Sequence, residues 1–201
     1  MFGYLYERQG LGDTTHDGSE LVNSKRFAFL LYIGLTIMLF AGLFGGWFVL
    51  RGNNDVWPPL GTPPMTFIKV LPSIVVLLAN VIAMILARNA MRQGALERFR
   101  TMTTISAGIS VLFVLAFGLE WWRLIGGGVH FSTVFGGLYF TITGIFLLHF
   151  LGGSYGLVSY VRKAKDLPFS TPQLVGFNNT LTFYYLMFAM WFIMGTLAYI
   201  N

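Results

Sequence analysis

Five stretches of this chain, at about 27–50, 66–90, 101–125, 131–161 and 180–200, run almost without charge for long enough to cross a bilayer. A hydrocarbon core takes roughly 20 apolar residues as an α-helix, at about 1.5 Å of rise each. In lipid the backbone must satisfy its own hydrogen bonds, so only helices and closed barrels can span it. A barrel strand would alternate polar and apolar residues over about ten positions, and none of the five runs does. The sequence therefore predicts an all-α polytopic membrane protein with five transmembrane helices in an up-down bundle. The fourth run is longer than the membrane needs and should tilt or project. Composition agrees: 55% hydrophobic and 10% charged residues are too apolar a mix for a soluble core.

The formal charge of +5 is informative through its placement. Lys25 and Arg26 precede the first run, Arg88, Arg92, Arg98 and Arg100 surround the second connection, and Arg162, Lys163 and Lys165 lie in the fourth. The other side holds Arg51, Lys69 and Arg123. This asymmetry predicts the N-terminus inside and the C-terminus outside. The charge is topological and makes no case for nucleic acid, while basic inner positions such as Arg88 and Arg92 suit anionic lipid headgroups. Residues 1–26 read as a polar arm, since no positive n-region leads into a cleavage site, and 27–201 read as one membrane domain. Asn23 and Ser24 are placed to cap the first helix.

Between the first two runs stands "WPPLGTPP", residues 57–64, with four of the chain's 7 prolines. Proline fixes φ and removes a donor, so Trp57, Pro58 and Pro59 begin a stiff lid that is neither helix nor inner strand. A tryptophan there suits the headgroup level. The "MRQGALERFR" and "GGGVH" connections are tight turns, whereas "AKDLPFSTPQLVGFNN" reads as a second, longer proline-bearing loop. Gly42 with Gly46 and Gly152 with Gly156 form small-xxx-small pairs, and Gly136, Gly137 and Gly144 flatten the fourth run. Such spacing lets helices approach closely, within this bundle or against a partner.

Few side chains could carry chemistry. Glu120 and Arg123 share a helix face at i and i+3, which predicts a local ion pair near the interface. His149 is the one histidine inside a run, and a single imidazole cannot make a bis-histidine haem site. It reads as a neutral core histidine at the level of Thr36, with its polar partner expected near that level, where Thr36 could serve, or in an adjacent subunit. With 0 Cys there is no disulfide, thiolate metal site or covalent haem attachment. No relay of acids, phosphate loop, nucleophile elbow or metal motif is present, so the residues describe a non-catalytic bundle without catalytic, cofactor or metal ligands of its own.

Four stretches taken in order resemble subunit III of the haem-copper oxidases, the cytochrome c and quinol oxidases. They are "MLFAGLFGGWFVLR" at 38–51 followed by the proline lid, "FGLEW" at 117–121, "FGGLYF" with "TGIFLLHF" between 135 and 150, and an outline match ending at Trp191. The departures are Thr36 for a glutamate, Phe117 for a glutamine, Phe146 for a histidine, and Tyr185 and Phe188 for a histidine and an aspartate.

The resemblance implies a five-helix bacterial form of the inner membrane that lacks two leading helices of longer members. It implies a non-redox subunit of a proton-pumping terminal oxidase in aerobic respiration. Its role there would be to brace catalytic subunit I and bind phospholipid, with haems and copper held by partner subunits. An accessory subunit of a nitric oxide reductase, or a small transporter or lipid-handling protein, are the other readings of the same bundle. Broken helices or internal repeats would mark a transporter, and neither is visible.

Overall fold

The computed structural model describes residues 14–63, 69–163 and 171–199, and among these it contains helices and turns but no strand. The helices are α1 (Thr14–Gly52), α2 (Leu71–Arg92), α3 (Leu96–Gly126), α4 (Val134–Lys163) and α5 (Thr171–Tyr199). All five are long and apolar enough to cross a membrane. Residues 1–13, Pro64, the expected helix start at 66, and Lys165 in the second proline-bearing connection lie outside the described residues.

The helix starts differ from the sequence reading: α2 begins at Leu71 against an expected 66, α4 at Val134 against 131, and three further differences have a local cause. α1 begins at Thr14, inside the expected polar arm, so Asn23 and Ser24 lie within the helix and do not cap it. Adding residues to an existing helix costs far less than nucleating one. α3 starts at Leu96 and leaves a connection of Gln93, Gly94 and Ala95 alone. There Gly94 takes φ +69°, which glycine adopts without steric cost, and Ala95 N–H returns to Ala90 O at 3.0 Å. α5 starts at Thr171, so 171–179, expected as loop, are helical. Proline at 172 is tolerated in a first turn. Phe177 is buried beside Phe99 and Tyr160, with ring centroids 5.3 and 5.4 Å away, and this packing stabilises the added turns.

α2 to α5 form a four-helix core, with α2 paired along α3 and α5 packed on α2 and α4. α1 lies outside it. Among the described residues it touches α5 and α4 but neither α2 nor α3. Successive helices are therefore not all neighbours, because the connection after α1 is the longest of the fully described and partly described turns at that end. Tyr32 meets Phe183 and His149, while Trp47 meets Phe135, so α1 runs parallel to α5 and antiparallel to α4. Only 11% of the apolar window of α1 is buried, against 50% for α5, which makes α5 the centre and α1 the edge. The bundle thus has a lid end, where α1 stops and α2 starts, and a basic end at the α2–α3 turn.

Candidate functional site

A buried polar seam crosses the apolar core. Asn80 Nδ2 donates to Ser110 Oγ at 2.8 Å, and Ser106 Oγ donates to Asn80 Oδ1. The Ser110 hydroxyl also lies 3.2 Å from the Tyr184 hydroxyl, which lies 3.1 Å from Ser154 Oγ. One residue of α2, two of α3, one of α4 and one of α5 are joined. Ser110 and Ser154 also reach back to the Ser106 and Phe150 carbonyls of their own helices. An unpaired amide in this core would cost a few kcal/mol, about 1–3, so the satisfied seam fixes the rotation and depth of four helices together. Sequence reasoning missed it, although Asn80 was legible as an amide in the middle of an apolar run.

The seam is closed toward the lid end by a second polar tie and an aromatic cluster. Trp191 Nε1 donates to Ser73 Oγ at 2.8 Å, and Trp121 Nε1 donates to Thr143 Oγ1 at 3.2 Å. Phe117 and Phe146, the positions of two departures from the resemblance, stack on one another and against Trp191. The two departures on α5 behave differently. Tyr185 is exposed on the surface of α5 and Phe188 is half-buried.

The singled-out residues do not converge on one site. Glu120 accepts from Arg123 at 2.7 Å, an i,i+3 pair with both side chains partly exposed. His149 stacks on Tyr32 at 6.2 Å and meets Phe40 edge-on at 5.8 Å. Those two residues flank Thr36 by one turn each, so the shared level is as read from helix rise. The hydrogen bond is not. His149 Nδ1 lies 2.9 Å from the Ile145 carbonyl of its own helix and so carries the proton. Thr36, itself buried, donates to the Tyr32 carbonyl at 2.8 Å. Helix faces explain this: an imidazole on α4 reaches its own i−4 carbonyl more readily than a hydroxyl that is already turned along α1.

At the lid end Trp57 packs edge-on against Trp47 and Phe135, each with centroids 5.2 Å away. The Trp57–Pro58 peptide is cis, Thr62 N–H donates to Pro59 O at 3.1 Å, and Pro63 rests on Gly127 of the α3–α4 turn. The lid therefore binds the end of α1 to the start of α4. Arg92 is exposed at the basic end, and Arg88 is half-buried one turn earlier.

The glycine pairs sort by face. A methyl at Gly42, Gly46 or Gly152 would meet nothing within 4 Å, and one at Gly156 would meet only Thr180 Oγ1 at 4.0 Å. Packing within this chain does not require them. It does require Gly153, which abuts the Phe183 ring, and Gly195, where a Cβ would lie 2.7 Å from Val70 Cγ1. An open groove of about 310 Å³ runs between α1, α4 and α5, floored by Gly152, Gly153 and Gly156 and walled by Phe29, Tyr32 and Thr180. Among the described residues no three His, Asp or Glu side chains gather as a metal site.

A sequence model of the family described as cytochrome c oxidase subunit III matches residues 7–200. A probable cytochrome c oxidase subunit 3 from Nocardia farcinica is 27% identical over 72% of this chain and 71% of its own length. The cytochrome c oxidase subunit 3 of Thermostichus vulcanus is 22% identical, with 96% of each chain covered. That of Debaryomyces hansenii is 24% identical over 97% of this chain and 75% of its own. The family match thus covers nearly the whole sequence: the chain belongs to the cytochrome c oxidase subunit III family.

Proposed function

We propose that the chain is the non-redox, bracing subunit of a proton-pumping haem-copper terminal oxidase in a bacterial cytoplasmic membrane. Family membership carries the oxidase assignment and, with it, a complex with other oxidase subunits. The peripheral position of α1 supports the bracing role. Its inward stripe, Thr36, Phe40 and Trp47, is buried, while its outward face is apolar and carries Gly42 and Gly46 with open space above them. A neighbouring transmembrane subunit can approach such a face closely. The glycine-floored groove beside it is shaped for lipid acyl chains, which supports phospholipid binding. Haems and copper would sit in partner subunits, and the part of this chain is to hold those subunits and their lipid in place.

The test is purification of the tagged chain from membranes in mild detergent, read by absorbance and metal analysis. Co-elution of haem a or o with copper and oxygen reduction is the expected result. A haem-free chain eluting alone would refute the assignment, and a complex reducing nitric oxide in place of oxygen would move the chain to a reductase.

A further inference from the structure

The indole ties at the lid end frame a cavity of about 120 Å³ between α2, α3, α4 and α5. Its floor is the buried Phe113, Phe117 and Trp191, with Trp121 and Tyr139 at its sides. The Trp191 centroid lies 5.4 Å from that of Phe113 and 5.3 Å from that of Phe117, so the inner wall is built mostly of ring faces and edges. Ser73 interrupts it. Its hydroxyl donates to the Val70 carbonyl at 2.7 Å and accepts from Trp191 Nε1 at 2.8 Å. A hydroxyl has one proton and two lone pairs, so this cavity-lining oxygen has one lone pair left.

The rim differs from the floor. Lys69, Pro72 and Ala116 are exposed and Glu120 is partly exposed, so the mouth lies between α2 and α3. Glu120 is held by Arg123 at 2.7 Å, and with Lys69 the rim is mixed in sign, which favours neither a cation nor an anion. One turn deeper, Val75 and Leu112 are exposed apolar side chains, so the mouth meets the edge of the hydrocarbon. The size selects a single ring, since a cavity of about 150 Å³ with apolar walls takes benzene. Water is a poor occupant: it needs about two to four polar partners, and ring faces supply few.

We propose that this cavity binds a neutral, lipid-soluble phenol, its ring seated among Phe113, Phe117 and Trp191 and its hydroxyl donating to Ser73 Oγ. The ring meets these walls edge to face, as the walls meet one another. A phenol keeps its proton at neutral pH, with a pKa of about 10, and so brings Ser73 a donor without a charge. A methyl ether or a carbonyl offers Ser73 only a second acceptor. The bound ring bridges α2, α3 and α5 at the Ser73–Trp191 tie. The site stands apart from the oxidase reading, because it is measured by binding and not by haem content or turnover.

The experiment titrates para-fluorophenol and its methyl ether, para-fluoroanisole, into nanodiscs carrying the purified protein with any subunits that co-elute. Fluorine NMR reads binding against empty nanodiscs. The phenol should give a saturable bound signal that empty discs lack, and should bind about tenfold more tightly than the ether, the range of one hydrogen bond to a buried acceptor. Ser73→Ala should remove that preference, because the freed Trp191 N–H then serves phenol and ether alike. A phenol carrying a photoreactive diazirine should label residues 69–73 or 113–121, and Ala116→Trp on the exposed rim should reduce that labelling. Partitioning without saturation, equal affinity for phenol and ether in the wild type, a preference that persists in Ser73→Ala, or label confined to other segments overturns the proposal. If Ser73→Ala does not fold, the wild-type comparison of phenol with ether and the position of the label decide it.

Discussion

Phe117 of α3 and Phe146 of α4 stack with ring centroids 6.4 Å apart and planes 20° apart, at the two positions where the resembling family pattern places a glutamine and a histidine. Both rings are buried and both pack on Trp191. The two departures read from the resemblance thus meet in one aromatic contact. F117Q or F146H alone should cost about 2–4 kcal/mol, through lost packing and an unpaired buried polar group. The double substitution should cost less than the sum, by about 1 kcal/mol or more of coupling. Reversible unfolding in mixed micelles measures all four corners, and strict additivity would mean that the two sites are independent.

The seam predicts a smaller but measurable loss from removing a single amide. Asn80→Ala removes one amide and leaves the Ser106 and Ser110 hydroxyls without their bridge, so stability should fall by about 1–3 kcal/mol. Hydrogen bonds between membrane helices average less, about 0.6 kcal/mol, and a loss no larger than that would show that water or lipid replaces the amide. Ser154→Ala reaches only the far end, and its cost should be the smaller of the two.

His149→Phe should be nearly silent. The imidazole is bonded to a carbonyl of its own helix, which the helix ladder already engages, and its two ring contacts survive in phenylalanine. A loss below about 1 kcal/mol is expected. Haem content and oxygen reduction of the purified complex should stay intact. Abolished turnover in a fully assembled complex would contradict a non-catalytic chain.

Two glycine substitutions separate internal from external packing. Gly153→Leu drives a side chain into the Phe183 ring and should destabilise the isolated chain by about 1–3 kcal/mol or more. A Cβ at Gly46 meets no atom of this chain within 4 Å, so Gly46→Leu should leave the isolated protein nearly unaffected while its yield with other oxidase subunits falls. If that yield is also unchanged, the outward face of α1 meets lipid only.

The charge asymmetry predicts an orientation that is open to chemical labelling, since the chain has 0 Cys and single cysteines report cleanly. A cysteine at Gln93 should react with a membrane-impermeant maleimide only from the cytoplasmic side, and one at Asn54 only from the outside. The reverse pattern would invert the bundle.

Number and type of helices were legible in the residues because hydrocarbon thickness imposes one length on every apolar run, and no partner is needed to read it. The Glu120–Arg123 pair was legible for a similar reason: residues three apart on a helix are neighbours whatever surrounds them. The start of α5 was not, because its first turns are polar and proline-bearing, and Phe99 and Tyr160, distant in sequence, hold them. Nor could local spacing show that Gly153 is packed while Gly152 is open, since one residue is a 100° turn of the helix and the neighbouring helix decides which side is covered. Asn80 could be noticed in the sequence, but its bonds to Ser106 and Ser110 of α3, and their link on to Tyr184 and Ser154, are set by the rotation of each helix in the bundle. The place of α1 at the edge had the same origin. Apolar periodicity cannot distinguish lipid from protein as a neighbour, because both are equally apolar, and only the packed bundle chose between them.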